Sequence, residues 1–203
     1  MEYIERRGVY MKRTFLPTVV FAVALVLGWL QTVVAQDNSG VLGVILSHYS
    51  PREFATGAVP AADLDRIIQA GIRAPSAANR QPWHFTVVQN SELAKKIIPQ
   101  TVEGNVLIVV SAAGNGTSNT REIIDCALAA ESIYLAAQTL GYSSRIYTGT
   151  INTVNSSYKA DLSLPAGHSA IILIRVGRAQ SVADAVSAAS SRKKTEELVT
   201  YKR

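Results

Sequence analysis

The sequence predicts one layered domain of alternating helices and strands, behind an N-terminal export signal. Apolar residues make up 48% and charged residues 17% of the 203 residues, which is typical of a globular protein. The longest predicted helix is Thr120–Leu140, and the strongest predicted strand is Ala170–Val176. Together with the alternating elements before and between them, they suggest an α/β or α+β domain. No low-complexity linker or internal repeat divides residues 36–203, so we treat them as one domain.

Residues 1–35 have the parts of an export signal. A basic pair precedes an apolar run from Thr14 to Leu30, and Val33 and Ala35 are the small residues that a signal peptidase prefers. We expect cleavage after Ala35 and a periplasmic or extracellular protein. An uncleaved membrane anchor is the alternative, because the uncharged stretch over residues 14–36 is long enough to span a bilayer.

The first half of the mature chain alternates helices and strands around one proline-rich loop. Val41–Ser47 is a short apolar helix, and Pro60 opens a second helix that runs to about Arg73 with Asp63 in its first turn. Two prolines and an asparagine mark Ala74–Pro82 as an ordered loop. The elements predicted next are a strand His84–Gln89, a helix Ser91–Ile98 with Ser91 as N-cap, and a buried strand Val106–Ser111.

The second half begins with a long, alanine-rich helix. Its polar residues Asp125, Ser132 and Thr139 recur every seven positions, which predicts a narrow solvated stripe on a mostly buried rod that Gly141 terminates. The remaining predicted elements are a short strand Arg145–Tyr147, a weak helix over 152–162, the strand Ala170–Val176 and a last helix Val182–Ser190.

Charge and composition exclude several classes of function. The net charge is +5 for the whole chain and +3 for residues 36–203, too little and too dispersed for a nucleic-acid interface. Cys126 is the single cysteine and lies in an apolar stretch, so we interpret it as a buried core residue. The histidines His48, His84 and His168 lack the spacing of metal ligands, and we predict no metal site.

Four segments, in order, resemble the nitroreductase family of flavoproteins. They are Ser50–Phe54 with the following Val-Pro-x-x-Asp-Leu helix start, the segment APSAANRQPWHF over 74–85, the stretch from Leu135 to Gly149, and RKKTEELV over 192–199. The second segment is the most specific of the four, and together they span nearly the whole mature chain. The resemblance implies an α+β sandwich in which helices flank a mixed, mostly antiparallel central sheet.

The resemblance also implies FMN as the cofactor and assigns its phosphate group to two arms of the chain. Ser50 can offer a hydroxyl and Arg52 a two-pronged guanidinium to a phosphate dianion. Arg192 and Lys193 would supply a second positive arm from the C-terminal segment. A turn before a helix and a solvated charge run are the structural alternatives for these two segments.

The isoalloxazine ring is assigned to two further segments by the same resemblance. Pro75, Ser76 and Asn79 would lie against the flavin, while Gln81-Pro82-Trp83 holds their loop on the sheet and Trp83 belongs to the core. Thr148 and Gly149 would bring a backbone N–H close to the flavin, since glycine has no side chain to obstruct the approach. A plain turn is the alternative for Gly149.

We therefore predict a two-step oxidoreductase in which no protein side chain acts as acid, base or nucleophile. A reduced donor, NAD(P)H or an envelope donor, would reduce FMN, and a nitroaromatic, quinone or similar acceptor would then reoxidise it. The family binds its flavin at a subunit interface, so we expect a homodimer. The alternative is a non-catalytic or degenerate flavin-binding or interaction protein of the same fold.

The sequence departs from the family pattern at two places. His48 stands where many relatives carry an arginine two residues before the serine, so phosphate affinity is expected to be weaker or pH-dependent. The segment between Val110 and Arg121 is shorter than in relatives that cover the flavin with inserted helices, which predicts a more open site.

Overall fold

A computed structural model describes residues 39–47, 50–114, 120–180 and 192–202. The predicted export signal over residues 1–35, His48 and the predicted helix Val182–Ser190 lie outside these ranges, so the predictions about them remain predictions. In the described part of the chain, no helix is both long enough and apolar enough to cross a membrane.

The core of the fold is a five-stranded sheet whose described pairings are all antiparallel. Its strands are β1 (Phe54–Ala55), β2 (His84–Val88), β3 (Val106–Ala113), β4 (Ser143–Tyr147) and β5 (His168–Ala179). The order is β1-β5-β3-β2, and β4 also pairs with β5. With the helices that pack on this sheet, the arrangement confirms the predicted α+β class.

The described helices follow the sequence prediction with shifted ends, except for the last one, which was not predicted. They are α1 (Ser39–Ser47), α2 (Ala61–Ile72), α3 (Ser91–Ile97), α4 (Thr120–Thr139), α5 (Ile151–Thr153, continued by a π-helical turn Val154–Tyr158) and α6 (Thr195–Leu198). The predicted N-cap Ser91 is wrong, because Ser91 is already the first residue of α3. The N-cap is Asn90, whose side-chain oxygen accepts a 2.9 Å hydrogen bond from the Leu93 N–H.

The two faces of the sheet carry two separate apolar clusters. Alternate residues of β3 and β5, such as Ile108 and Ile174, pack against α2 and α4 on one face. Their neighbours Leu107 and Leu173 pack on the other face against α3 and the turn that follows α5. Because side chains of a strand alternate in direction, the continuous apolar run of β5 supplies both cores.

Helices α2 and α4 approach closely because α2 carries a glycine at their contact. A Cβ atom built on Gly71 would lie 2.6 Å from Ile133 Cγ1 and 3.2 Å from Phe85 Cζ. The ends of the two helices are joined through Tyr142, whose hydroxyl donates a 2.8 Å hydrogen bond to Asp63 Oδ2. Gly141, at φ +80°, ends α4 as predicted and turns Tyr142 toward α2.

The predicted solvated stripe on α4 is wrong at its first position. Asp125 is 2% exposed, since the loop before β2 covers the first half of the helix there. The Ser132 and Thr139 hydroxyls donate to carbonyl groups one turn earlier in the same helix. The exposed residues of α4 include Arg121, Glu131 and Thr139 but also two large apolar ones, Ile124 at 54% and Leu128 at 41% accessibility.

Strand β5 contains a buried arginine, which its apolar neighbours in the sequence did not lead us to predict. Arg175 in β5 is fully buried, its Nε donates a 2.8 Å hydrogen bond to Asn105 Oδ1, and its guanidinium carbon lies 4.1 Å from the centroid of the Phe54 ring. Within the described residues, its two terminal nitrogens have no hydrogen-bond partner. Burial lowers the pKa of Arg175, but arginine retains its charge in proteins.

Substitution of Gly71 tests the close contact of α2 with α4. We expect Gly71→Val to lower the free energy of unfolding by about 2 kcal/mol or more, because the new side chain overlaps Ile133 in a packed core. Urea unfolding measures the loss. In the double variant Gly71→Val/Ile133→Ala the freed space should recover part of it, and strictly additive losses would contradict the contact.

Candidate functional site

The loop between α2 and β2 has an unusual backbone conformation. Three of its residues, none of them glycine, have positive φ: Ala78 at 55°, Asn79 at 52° and Gln81 at 48°. A left-handed conformation costs a non-glycine residue roughly 1–2 kcal/mol, with asparagine the most tolerant. Hydrogen bonds within the loop support it, since Gln81 N donates to Ser76 Oγ at 3.0 Å and Gln81 Nε2 to Asn79 Oδ1 at 3.1 Å.

One hydrogen bond attaches this loop to the helix layer. The Ala77 N–H donates to Asp125 Oδ1 of α4 at 3.0 Å. Asp125 Oδ2 is buried and has no hydrogen-bond partner in the described residues. At the other end of the loop, Trp83 is half-buried and stacks with Phe85, their ring centroids 6.3 Å apart, beside the core that α2 and α4 share.

A polar cluster surrounds Ser50, which lies between α1 and β1 in the chain. Its hydroxyl donates to the Ser144 carbonyl at 3.2 Å, and the Ser144 hydroxyl donates to the Tyr134 carbonyl at 2.9 Å. Burial raises the pKa of Tyr134, whereas a hydrogen bond with Ser50 and the positive charge of Arg192 oppose that rise. Ser50 therefore lies beside Tyr134, and Arg192 lies near enough for its charge to act on the Tyr134 hydroxyl.

The predicted phosphate-binding cations are exposed. Arg52 follows the buried Pro51, whose carbonyl accepts a 3.0 Å hydrogen bond from Arg145 Nη1, and this contact fixes the segment against β4. Arg52 and Lys193 form no hydrogen bond or ion pair with the described residues. Both side chains are thus available to an anion, beside a cluster that already contains Arg192.

Thr148 and Gly149 lie in the exposed turn that follows β4. The Thr148 carbonyl accepts a 3.2 Å hydrogen bond from the Ile151 N–H, which starts α5. A Cβ atom built on Gly149 would have no neighbour within 4 Å, so the local fold itself does not require glycine. The space beside the backbone there is open to a ligand.

Seven of the nine predicted site residues belong to two groups, and Thr148 and Gly149 lie in neither. Ser50 and Arg52, with Arg192 and Lys193, belong to the group near Tyr134, while Pro75, Ser76 and Asn79 belong to the loop held at Asp125. Asp125 and Tyr134 are nine residues apart on α4, or roughly 13 Å along its axis. No hydrogen bond or ion pair between the described residues joins the two groups.

Two of the histidines that sequence spacing left scattered are neighbours in the structure. The rings of His84 and His168 have centroids 6.1 Å apart, and His168 Nδ1 lies 3.3 Å from Ser111 Oγ. Burial lowers the pKa of His168, and the nearby His84 lowers it further. No third histidine, cysteine, aspartate or glutamate within the described ranges joins them to form a metal-binding group.

Comparison with known proteins shows a similarity to one family of flavoproteins. The sequence model of the Nitroreductase family matches residues 45–113, which contain Ser50, Arg52 and the whole loop. A protein of Archaeoglobus fulgidus, provisionally named NADH dehydrogenase/NAD(P)H nitroreductase, is 34% identical over 111 residues. Over residues 45–113 the chain is therefore similar to the nitroreductase family.

Solved structures of nitroreductases share its fold. A Desulfitobacterium hafniense nitroreductase with bound FMN superposes with a TM-score of 0.66 at 23% identity, over 81% of this chain and 98% of that one. At this identity the likeness establishes the fold alone.

The curated relatives align with only part of this chain, which spans less than two thirds of their own length. The match with the Archaeoglobus protein covers 51% of this chain and 64% of that protein. A second relative, from Methanothermobacter thermautotrophicus and with the same provisional name, is 31% identical and covers 54% of this chain and 60% of its own length.

Sequence reasoning missed three residues that contact the predicted site residues or their neighbours. Asp125 was read as solvated, and Tyr134 and Gln138 were not considered as site residues. Gln138 Nε2 donates to Ser144 Oγ at 3.2 Å and so completes the cluster at Ser50. The helical spacing of 125, 134 and 138 could not reveal which neighbours they meet, because those neighbours come from distant parts of the chain.

The structure confirms that Cys126 is buried, next to Asp125. Burial raises the pKa of its thiol to about 12, and the charges of Asp125 and Glu122 contribute. Because the thiolate is the reactive form, Cys126 is not a nucleophile at neutral pH.

Thiol labelling tests the state of Cys126. Relative to the usual value of 9.0, the raised pKa reduces the thiolate fraction at pH 8 by about a thousandfold. We expect Ellman's reagent to label the native protein very slowly and the urea-unfolded protein at the rate of a free thiol. Rapid stoichiometric labelling of native protein would contradict the buried position.

Proposed function

We propose that this protein is an FMN-dependent oxidoreductase that transfers electrons from a reduced donor to a nitroaromatic, quinone or similar acceptor. The observation that carries the proposal is the cluster of Ser50 with Tyr134, on which the positive charge of Arg192 also acts, with the exposed Arg52 two residues after Ser50 in the chain. Residues from three distant segments converge there, and their donors suit a phosphate dianion. The FMN bound in the Desulfitobacterium nitroreductase supports the choice of cofactor.

The phosphate end fits FMN by its chemistry. The guanidinium of Arg52 offers two parallel N–H donors, and Arg192 and Lys193 add positive charge. Among the described residues no ion pair engages Arg52 or Lys193, so binding a phosphate would break no existing contact of theirs. The buried Tyr134 forms a hydrogen bond with Ser50 through its hydroxyl group.

The residues predicted to lie at the isoalloxazine ring also fit FMN. Asn79 Oδ1 accepts from Gln81, whereas Asn79 Nδ2 makes no hydrogen bond with the described residues. That amide N–H is free to donate to a flavin carbonyl oxygen. Gly149 leaves its side of the backbone open, as close approach of a flat ring requires.

When bound, FMN would supply the redox chemistry, accepting a hydride from NAD(P)H or an envelope donor and returning electrons to the acceptor. The chain's own residues bind and orient it. Cys126 is excluded as a participant by its buried, protonated thiol.

We also propose that the protein acts as a homodimer. No hydrogen bond or ion pair among the described residues joins the two groups of site residues, and a flavin at a subunit interface could contact both. Helix α4 exposes the apolar side chains of Ile124 and Leu128, and α1 exposes those of Val41, Leu42 and Leu46, which a second copy could cover.

Substitution at the two ends of the site tests the FMN proposal. We expect the purified protein to bind one FMN, and Arg52→Ala and Asn79→Ala each to raise its dissociation constant by about tenfold through loss of a charge-assisted or buried hydrogen bond. Fluorescence titration measures binding, and turnover with NAD(P)H and a quinone measures activity.

Arg66→Ala is the matched control, because Arg66 is an exposed arginine whose contact is a 3.6 Å pair with Asp63. It should leave both affinity and turnover unchanged. If Arg52→Ala and Asn79→Ala behave like this control, the site assignment is wrong. Tight FMN binding without turnover for any donor would favour the non-catalytic alternative.

Light scattering tests the dimer. We expect twice the monomer mass for the purified protein, and dissociation when Ile124 and Leu128 are both changed to glutamate, since charges would be buried at the interface. Val87→Glu, at an exposed apolar residue of β2, is the control and should remain dimeric. A wild-type monomer with full FMN content would contradict the proposal.

A further inference from the structure

We infer that Asp125 is a positioning residue that holds the loop Pro75–Asn79 in its flavin-binding conformation. The role rests on the proposed function, because the loop matters in this way only if it contacts FMN. Asp125 lies in α4, and the loop lies about 50 residues earlier in the chain.

The attachment depends on a single hydrogen bond. Ala77 N donates to Asp125 Oδ1 at 3.0 Å, and of the hydrogen bonds among the described residues only this one joins residues 75–80 to another helix or strand. The other bonds of the loop, such as Asn79 N to the Ser76 carbonyl at 3.0 Å, run within it. They define its shape but not its position on the domain.

The position of the bond explains why it would affect Asn79. Ala77 directly precedes the left-handed pair Ala78 and Asn79, so anchoring its N–H fixes the point from which those two strained residues turn. Without the anchor, the pair can relax to ordinary backbone angles and carry the Asn79 amide away from the ligand.

The burial of Asp125 indicates that core packing is not its purpose. Its side chain is 2% exposed in an alanine-rich helix, and Oδ2 has no hydrogen-bond partner among the described residues. A buried carboxylate with one unsatisfied oxygen is unfavourable, and an apolar side chain would pack better there. The bond to Ala77 is the favourable contact that the carboxylate makes and an apolar residue could not.

Two variants separate positioning from folding. Asp125→Ala removes the acceptor, whereas Asp125→Asn keeps an oxygen for the Ala77 N–H and exchanges one unsatisfied atom, Oδ2, for another. We expect Asp125→Ala to raise the FMN dissociation constant by about tenfold and Asp125→Asn by less than about threefold. Asp65→Ala, an exposed aspartate of α2, is the matched control and should change nothing.

Hydrogen exchange without FMN provides a readout that does not depend on the proposed function. In flavin-free protein, Asp125→Ala should accelerate amide exchange in a peptide covering residues 76–80 by about tenfold, and Asp125→Asn should largely restore protection. If Asp125→Ala exchanges faster but the wild-type protein does not bind FMN, the proposed function is wrong, and so is the role of Asp125 in flavin binding. The hydrogen bond from Ala77 to Asp125 would still be shown to hold the loop in place.

Unchanged exchange and unchanged FMN affinity in Asp125→Ala would overturn the inference. So would equal losses in the alanine and asparagine variants, since then the charge or the packing, and not the hydrogen bond, is required. If Asp125→Ala does not fold, Asp125→Asn decides alone: wild-type exchange and affinity support the anchor, and loss of both overturns it.

Discussion

Backbone pairing along β5 is the constraint on which the described fold depends. This strand is 12 residues long and hydrogen-bonds with β1, β3 and β4. Its register directs Ile174 toward α2 and α4, and Leu173 and Arg175 toward the opposite face. A slip of one residue would reverse every side chain, moving the arginine into the core between sheet and helices.

Arg175 makes that register specific. Its guanidinium donates a hydrogen bond to Asn105 and packs against the ring of Phe54. The Asn105 side chain in turn donates to the Ala55 carbonyl at 3.1 Å. The buried charge therefore connects β5 to the short strand β1. Pro51, just before β1, is held against β4 by Arg145, which places Ser50 and Arg52 beside the same sheet.

The candidate site draws its geometry from α4, the longest helix among the described residues. Asp125 in its first half contacts the loop, and Tyr134 and Gln138 in its second half border Ser50. Small residues permit this, since Gly71 lets α2 approach Ile133 and alanines line much of the buried face. The helix thus acts as a rigid spacer between the two groups of predicted ligand-binding residues.

Local patterns in the sequence were sufficient for the longer described elements and for the loop, but they did not predict the short strand β1 or the short helix α6. Apolar runs predicted the strands, Gly141 predicted the end of α4, and the proline-rich segment predicted an ordered loop; all of these are properties of residues close together in the chain. The family resemblance narrowed a layered mixture to an α+β sandwich. The Ser91 cap failed by one residue because Asn90 competes for the same role.

The sequence by itself determined which segments form helices, strands and turns, and which family they resemble. Only the tertiary structure decided the partners of polar residues inside those segments. Asp125 and Ser132 occupy equivalent positions in a heptad, yet one is buried beneath the loop and the other bonds back to its own helix. Periodicity describes one face of a helix but not what covers it, because the covering residues lie dozens of positions away and arrive only when the chain folds.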